Sequence, residues 1–542
     1  MPVTEAMQMN VVRVREKGRQ KGRKLAINKW LMAAILALVV VAATGWYDWY
    51  DGRLGIIGPQ PVIESSAEGV RIIRVPPGGN IQAALNAAQS GDIVELQAGA
   101  VYSGTINLPN KPLTDFVTIR SSAAADLPAE KRVSPAQRSS MATITSGILG
   151  RPAVQAVNGA HHYRFIGIEF TASGKLFNYG VVVFGGRETR PENVPHTLEI
   201  DRGYIHATGP TVSRRGIALN SANTTIKNSY IEGFAFRSEE TQGICGWSGT
   251  RNVKIINNYV EGGAENILFG GADPANGELV PTDIEISGNH LNKPREWFKA
   301  VTVKTLFELK NARRVAFTGN YLEHNWEGSA FRITVRNQDG GAPFSTIEDV
   351  VIRDNIIDGA GEGLNLLGRD DTQPSQMAKR ISILNNLFLN IGGPTYSGSG
   401  YFLQMSGGED VTVANNTVLN EGNTVTFYGD QPQNLVIRDN IMCHGNYGVH
   451  GLDLRSPEAR RIFANNIIIN NKRVGRDDAA IPPDSIWLPD IAAVGFDDPS
   501  GGNFGLAANS RFKDKAADGG SIGCRIRSLP SAAVRSVVES TQ

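Results

Sequence analysis

The sequence predicts an all-β chain that coils as one right-handed parallel β-helix, and two observations carry this prediction. The first is the repeated pattern apolar-x-apolar-x-x-Asn-x-apolar, whose members lie from 24 residues (Asn416 to Asn440) to 35 residues (Asn320 to Asn355) apart. The second is that each repeat holds short β-branched runs bounded by Gly, Asn and Asp, which predict strands and tight turns. The repeated asparagines are Asn258, Asn289, Asn320, Asn355, Asn386, Asn416, Asn440 and Asn466.

The asparagines are expected to form a buried column. Parallel strands in a coil would stack each turn about 4.8 Å above the last, so equivalent side chains lie over one another. An amide at a bend can bond the backbone and its neighbours in the column, where an unpaired polar group would cost several kcal/mol. We interpret the column as structural.

A second strand follows each asparagine, and its middle residue is expected to face solvent. Strand alternation points the flanking apolar residues, such as Phe307 and Leu309, into the core, so the residue between them points outward. The outward residues by this pattern are Val182, Ala218, Cys245, Leu268, Glu308, Arg332, Asn365, Phe402 or Gln404, Thr426 and His450.

The N-terminus predicts a membrane span or an export signal. Residues 1–29 carry eight basic residues against Glu5 and Glu16, and the segment 30–47 has no charge. Eighteen uncharged residues just suffice to cross a bilayer, and aromatic residues at both ends resemble interfacial anchors. A signal peptide cleaved after Ala43 is the alternative. Both alternatives export the remainder: inner-membrane anchored and facing the periplasm or the outside, or secreted if cleaved.

The remaining organisation follows from these segments. We expect a basic cytoplasmic segment 1–29, the span 30–47, a linker 48–70, the β-helix 71–527 and a tail 528–542. A solenoid grows by repetition, so a chain of this length needs no second core, and a monomer is expected. The net charge of +1 gives no reason to expect nucleic acid, and the three cysteines lack metal-ligand spacing.

The segment 72–108 supports the fold through a resemblance. It reads IIRVPPGGNIQAALNAAQSGDIVELQAGAVYSGTINL and is similar to the N-terminal cap and first turn of pectate-lyase-like right-handed parallel β-helices. The resemblance implies a short capping helix over Ile81 to Ala88. The motif DGGSIGC, Asp518 to Cys524, resembles the closing turn of the same families. This scaffold carries lyases, hydrolases, epimerases and adhesins alike, so the resemblance concerns fold more than function.

Charged residues on the middle turns predict the functional site. Glu308 and Lys310 lie on one strand, Arg332 on the next and Asn365 on the one after. Three loop residues, Arg336, Arg369 and Asp370, are further candidates for substrate binding. Trp297 lies in a neighbouring loop, where it could stack on a sugar ring.

The stretch ELKNARRVAFTGNYLEHNWEGSAFRIT, Glu308 to Thr334, is similar to the strand pair of the alginate lyase and chondroitinase B family. The resemblance implies that Lys310 is the base removing the proton α to a uronate carboxylate and that Arg332 assists at the leaving group. It also implies acidic Ca²⁺ ligands shortly before the lysine. Thr305 and Val303 stand there instead, which leaves Glu308 as the candidate metal ligand and Ca²⁺ as a possible cofactor.

The pair suits β-elimination chemically. A lysine is useful as a base only when its pKa falls well below about 10.4, which a guanidinium one strand away favours and a carboxylate such as Glu308 opposes. The leading hypothesis is therefore an exported polysaccharide lyase acting on an acidic glycan. The alternatives are a surface ion-pair ladder on a non-catalytic glycan-binding or envelope protein, and a glycoside hydrolase using Asp370 and Asp371.

Overall fold

The computed structural model describes residues 59–65, 69–146, 150–172, 177–207, 213–472 and 481–527. All of them belong to the unit Gly58–Gln542. The predicted span 30–47 and tail 528–542 lie outside the described residues. Among the residues that are described, no helix is both long and apolar enough to cross a membrane.

The strands form two large sheets in which strands from successive turns of the coil pair side by side. In the 15-stranded sheet, called sheet 1, all pairs are parallel except the first. Its strands are Val62–Ser65, Arg71–Val75, Ile93–Leu96, Val117–Ser121, His161–Ile166, His196–Asp201, Ala222–Lys227, Arg251–Ile256, Thr282–Ser287, Ala312–Thr318, Ile347–Arg353, Lys379–Leu384, Glu409–Ala414, Val436–Arg438 and Phe463–Ala464.

The 24-stranded sheet consists of two ladders joined where the strands Tyr321–Thr334 and Ile356–Leu367 run through both. The first ladder, called sheet 2, also contains Val101–Ser103, Ala142–Ser146, Ile168–Ala172, Tyr204–His206, Tyr230–Glu232, Tyr259–Glu261, His290–Asn292, Leu387–Ile391, Thr417–Asn420, Ile441–Cys443, Ile467–Ile469 and Ile486–Leu488. The second, called sheet 3, also contains Ile106–Leu108, Val154–Ala156, Val182–Phe184, Arg215–Leu219, Gln242–Gly246, Glu265–Phe269, Thr305–Leu309, Leu403–Ser406, Val425–Phe427 and Val449–His450.

Helical segments are few and short. The predicted capping helix spans Ile81–Ala87, and the Asn80 side chain caps it by accepting a hydrogen bond from the Ala83 amide at 3.0 Å. A second helix spans Pro457–Ile462. Turns of 3₁₀ helix occupy Ala124–Asp126, Pro135–Ser140, Pro191–Asn193, Gly277–Leu279, Arg295–Trp297 and Ala492–Val494, and Phe496–Asp498 pairs antiparallel with Asn503–Leu506. The architecture is an all-β solenoid of parallel strands, as predicted; its right-handed sense stays a prediction.

The asparagine column is confirmed. The Asn289 amide donates to the side-chain oxygen of Asn320 at 2.9 Å, and the Asn320 amide donates to that of Asn355 at 2.9 Å. The same pattern runs from Asn258 to Asn466, and all eight side chains are buried. Each side-chain NH₂ also bonds the next side-chain oxygen and a strand carbonyl. The column therefore satisfies the backbone at the bend between sheets 1 and 2.

The residue before each column asparagine adopts the left-handed conformation. Asn257, Asp354 and Asn385 have φ of 53°, 60° and 53°, and Gly288 and Gly319 have φ of 64° and 62°. Asn, Asp and Gly tolerate this region far better than other residues. The recurring pairs Asn-Asn, Asp-Asn and Gly-Asn therefore encode one bend per turn.

The core lies inside the coil, where the inward residues of the three ladders meet. Phe307, Phe317 and Phe331 are fully buried there and pack ring against ring, with centroids 4.4 to 6.4 Å apart. Cys245, Cys443 and Cys524 are free and buried. The core holds sheet 3 rigid beneath the polar residues of its outer face.

Candidate functional site

The candidate site lies on the outer face of sheet 3, where six successive turns each leave one buried polar atom without a hydrogen-bond partner. A buried unpaired polar atom is costly, and a bound water, ion or ligand is its usual explanation. The six atoms are Arg215 Nε, Gln242 Oε1, Glu265 Oε1, Glu308 Oε2, Arg332 Nε and Asn365 Oδ1. These polar residues make the outer face of sheet 3 the candidate site.

Glu308 lies at the centre of this row, between Leu268 and Arg332 in the strand register. It is 2% exposed, so the expectation that this position faces solvent is wrong here, as it is for the buried residues Val182, Ala218, Cys245 and Leu268. The charged groups of Lys310, Glu265, Lys304 and Arg332 lie close to its carboxyl. Burial raises the pKa of Glu308 to about 7, Glu265 adds to the rise, and Lys310 opposes it. Glu308 therefore exchanges a proton near neutral pH.

The Lys310 ammonium lies 3.9 Å from Glu308 Oε1, with the lysine side chain mostly buried. Its path is set by Gly270, which has φ of 100°; a Cβ there would lie 2.8 Å from Lys310 Cβ and 2.7 Å from the Asn311 amide nitrogen. The glycine thus leaves the space that lets Lys310 turn back toward Glu308.

Lys304 is one of the residues of this cluster that the sequence reasoning missed; the others are Glu240, Gln242 and Glu265. Its ammonium lies 2.9 Å from Glu240 Oε1 and 3.3 Å from Glu265 Oε1. Burial acts to lower the pKa of Lys304, but Glu265, Glu308 and Glu240 outweigh it, so the pKa is raised. Lys304 stays a cation at any physiological pH and cannot act as a base.

Glu265 and Gln242 extend the cluster toward the N-terminal turns. Both are buried, they lie side by side in register, and Gln242 Nε2 donates to Glu265 Oε2 at 2.8 Å. The corner before Glu265 is fixed by the fully buried Lys293, whose ammonium donates to the carbonyls of Gly262 (2.6 Å) and Gly263 (2.8 Å). Burial lowers the pKa of Lys293 to about 7. This lysine supports the backbone beneath the site.

Arg332 stands one strand from Glu308 and opposite Asn365. A Cβ on Gly328 would lie 3.4 Å from Arg332 Nη2, so the guanidinium lies over this glycine. Among the described residues, no carboxylate lies within ion-pairing distance of Arg332. Its charge is thus available to a ligand.

A hydrogen-bonded group borders Arg332 on the C-terminal side. Glu362 Oε2 accepts from the hydroxyls of Ser329 (2.9 Å) and Tyr401 (2.8 Å). Burial raises the pKa of the Tyr401 phenol, so it stays protonated. The predicted residue Asn365 lies between this group and Arg332, with its side-chain oxygen unpaired.

The predicted loop residues bond mainly with each other. Arg336 pairs with Asp370 at 3.3 Å and also with Asp371, and Asp370 Oδ2 accepts from the Asn337 amide at 2.7 Å. Burial acts to raise the pKa of Asp370, but amide donors outweigh it and lower the pKa below its usual value. A carboxyl with this environment is a poor general acid for hydrolysis. Arg369 is exposed beside it.

Trp297 ends the 3₁₀ turn Arg295–Trp297, and the structure does not bring it into the row of unpaired atoms. The next residue, Phe298, packs on Trp326 with ring centroids 5.3 Å apart. Trp326 is itself stacked on Tyr396 at 5.4 Å. An aromatic group therefore occupies the bend of Tyr321–Thr334, six residues before Arg332.

The predicted Ca²⁺ does not fit at Glu308. Calcium takes six to eight oxygen ligands, several of them carboxylates. Glu308 is surrounded by Lys304, Lys310 and Arg332, which are close enough to affect its ionisation. Within the part of the chain that the structure describes, no group of three His, Cys, Asp or Glu side chains is placed to hold a metal ion.

Comparison with known proteins adds a family match. A comparison with curated proteins gives no match. The model of a family described as periplasmic copper-binding protein (NosD), a parallel β-helix family, matches residues 302–494. The strand pairings show the same architecture. The chain is a parallel β-helix protein. The resemblance to the pectate-lyase-like families is thereby confirmed for the fold.

Solved structures similar to this chain include enzymes and an adhesin. An alginate lyase from Paenibacillus sp. str. FPU-7 shares 12% identity over 70% of this chain and 98% of its own, with a TM-score of 0.37. The PL6 family alginate lyase AlyGC shares 11% sequence identity, and the match covers 85% of this chain and 59% of AlyGC, with a TM-score of 0.49. PfbA, a surface adhesin of Streptococcus pneumoniae, shares 15% sequence identity, and the match covers 72% of this chain and 86% of PfbA, with a TM-score of 0.38. Similarity at this level concerns the fold alone.

The described part of the matched segment 302–494 contains no group of three His, Cys, Asp or Glu side chains placed to hold a metal ion. His324 Nδ1 lies 3.0 Å from Asn292 Oδ1, and His444 Nδ1 lies 2.9 Å from the Gly445 carbonyl.

Proposed function

We propose that this chain is an exported polysaccharide lyase that cleaves an acidic, uronate-containing glycan by β-elimination on the outer face of sheet 3. The observation that carries the proposal is the convergence of Lys304, Lys310 and Arg332 around Glu308, a buried carboxyl whose pKa is raised to about 7. Cations neutralise a uronate carboxylate, and a group titrating near pH 7 can exchange protons at the operating pH.

Each residue has a role in this reaction. Lys310 takes the proton from C5, the C4–O bond breaks with its electron pair passing to the oxygen, and a C4–C5 double bond forms. Arg332 stabilises the departing oxygen, which takes a proton from solvent. Glu308, 3.9 Å from the Lys310 ammonium, accepts the proton that Lys310 has removed and releases it to solvent, which restores the amine. Lys304, a permanent cation, stabilises the charge that develops on the substrate carboxylate.

Export is supported by two observations. Positive charge flanks one side of the uncharged segment 30–47, which predicts that this side stays in the cytoplasm. The family whose model matches residues 302–494 is described as periplasmic. Together they favour a β-helix that works outside the cytoplasm.

A non-catalytic glycan-binding protein is the second candidate, and the ion pair between Lys310 and Glu308 favours it. An ionised Glu308 stabilises the charged form of the neighbouring lysine, which then binds anions but removes no proton. The same surface would then hold an acidic glycan unchanged.

Product formation separates the two candidates. The purified full chain is incubated with polymers of mannuronate, guluronate, glucuronate and galacturonate, and ultraviolet absorbance reports the C4–C5 double bond. We expect absorbance with at least one polymer, and its loss in Lys310→Ala. The control variant Lys379→Ala removes a lysine of similar setting from sheet 1, ion-paired to Glu348 at 3.4 Å, and should keep full activity. Retention of a polymer without absorbance would establish the binding function instead.

A further inference from the structure

The N-terminal end of the unpaired row contains an arginine held for binding. Arg215 lies at the start of the strand Arg215–Leu219, with its guanidinium carbon 4.8 Å from the ring centre of Trp247. Its Nε is buried and unpaired. Among the described residues, no carboxylate lies within ion-pairing distance of Arg215, although most buried or half-buried arginines of sheet 1 have one.

The tryptophan beneath this arginine is fixed from two sides. Its backbone amide donates to Asn220 Oδ1 at 2.7 Å, and its indole N–H donates to the Gly186 carbonyl at 3.3 Å. Asn220 is fully buried, so the ring cannot move without breaking a core contact. Stacking on a fixed ring holds the guanidinium plane in one orientation, which lowers the entropy cost of binding an anion.

Arg215 faces the same surface as Arg332. Arg215 is in register with Gln242, Glu265 and Thr305, three residues before the column that holds Cys245, Leu268, Glu308 and Arg332. Its guanidinium reaches that column, because it hydrogen-bonds the Cys245 side chain. Four strand intervals of about 4.8 Å separate the two arginines by about 19 Å along the coil. Between them, Gln242 Oε1 and Glu308 Oε2 have no hydrogen-bond partner, whereas Glu265 pairs with Lys304 at 3.3 Å.

We propose that Arg215, seated on Trp247, is an accessory subsite that binds a second carboxylate of the same glycan, remote from the bond that is cleaved. The inference rests on the proposed acidic-glycan function of this face. A separation of about 19 Å exceeds what a disaccharide can span, so only a longer oligosaccharide engages both arginines. The unpaired oxygens between them suit the hydroxyl groups of the intervening sugars.

The proposal predicts a dependence on chain length. Hexasaccharides and disaccharides of mannuronate and of galacturonate are the probes, and affinity is measured by calorimetry on Lys310→Ala, in which turnover is removed. Arg215→Ala should weaken hexasaccharide binding roughly tenfold to a hundredfold, the effect expected for losing a charged hydrogen bond. Disaccharide binding should stay unchanged. In active enzyme, the same substitution should raise KM for the hexasaccharide and leave kcat unaltered.

Matched variants make the result specific. Arg215→Lys keeps the charge but loses the planar stacking on Trp247, so its hexasaccharide affinity should lie between those of wild type and Arg215→Ala. Arg164→Ala removes an arginine of sheet 1 that stacks on Phe116 at 4.3 Å, and it should leave the affinity for the hexasaccharide unchanged. A carboxyl-reduced hexasaccharide should bind Arg215→Ala and wild type equally. Retained thermal unfolding shows that the variants fold.

The outcomes separate this proposal from the lyase proposal. If affinity rises with chain length only when Arg215 is present, and no unsaturated product forms, the subsite proposal is supported and the lyase proposal is contradicted. Unsaturated product with equal effects of Arg215→Ala on disaccharide and hexasaccharide would overturn the subsite and keep the lyase. Unchanged hexasaccharide affinity in Arg215→Ala would also overturn it.

Discussion

The substitution Glu308→Gln tests whether the centre of the site holds a carboxyl that is protonated near neutral pH. Glutamine keeps the size and neutral form of the side chain but cannot ionise. An exposed glutamate has a pKa of 4.5, and burial raises that of Glu308 to about 7. The difference corresponds to about 3 kcal/mol of free energy between the two protonation states.

The sign follows from proton binding. Between these two values the folded protein binds a proton at Glu308 that the unfolded chain has released, so the free energy of unfolding falls as pH rises. The stabilisation is fully present below about pH 4.5 and is lost as pH passes through about 7. Glu308→Gln lacks this loss. We expect the variant and wild type to be equally stable at pH 4, and the variant to be more stable by about 3 kcal/mol at pH 8.

Urea unfolding followed by tryptophan fluorescence, at pH values from 4 to 8, measures this difference. Glu285→Gln is the control, because its half-exposed carboxylate pairs with Lys254 at 3.7 Å on the surface of sheet 1. Its stability difference from wild type should stay within about 0.5 kcal/mol at every pH. Parallel pH profiles for Glu308→Gln and wild type would refute the assignment of a raised pKa.

Two further substitutions test how the coil supports the site. Gly270→Ala should lower the free energy of unfolding by about 1–3 kcal/mol, because the residue has φ of 100° and the new Cβ would lie 2.8 Å from Lys310 Cβ. The rate of product formation should also fall. An unchanged rate would show that the position of Lys310 does not matter for activity. Asn320→Ala should lower the free energy of unfolding, measured by heat or urea, by about 3–5 kcal/mol. The Asn320 side chain makes hydrogen bonds with the Asn289 amide, Asn355 Oδ1 and a strand carbonyl, and all three are lost. A loss below 1 kcal/mol would contradict the structural role of the column.

The repeat was predictable from sequence because a single constraint recurs on every turn. Asn320 and its equivalents each bond the next asparagine, so the same residue type recurs at this position from Asn258 to Asn466. The left-handed residue before each asparagine explains the recurring Asn-Asn, Asp-Asn and Gly-Asn pairs. Local pattern therefore fixed both the architecture and the register of the strands.

The site was less predictable because its residues break the strand alternation. Glu265 and Gln242 stand two positions before the inward residues Ile267 and Ile244, where regular alternation would place them in the core. Their side chains nevertheless bond each other and Lys304. A charged or polar residue at an otherwise inward position was the signal for this cluster, and it also applies to Arg215. Lys304 lies just ahead of its strand and gave no periodic signal.

The fate of the oxygen at the cleaved bond tests the proposed elimination most directly. A uronate polymer is incubated with the purified full chain in H₂¹⁸O, and the products are analysed by mass spectrometry. Elimination predicts products with an unsaturated end and no ¹⁸O at the new reducing end, and none of these products with Lys310→Ala. Incorporation of one ¹⁸O per cleavage would show hydrolysis, and the absence of any product from a polymer that binds would show that the surface only holds its glycan.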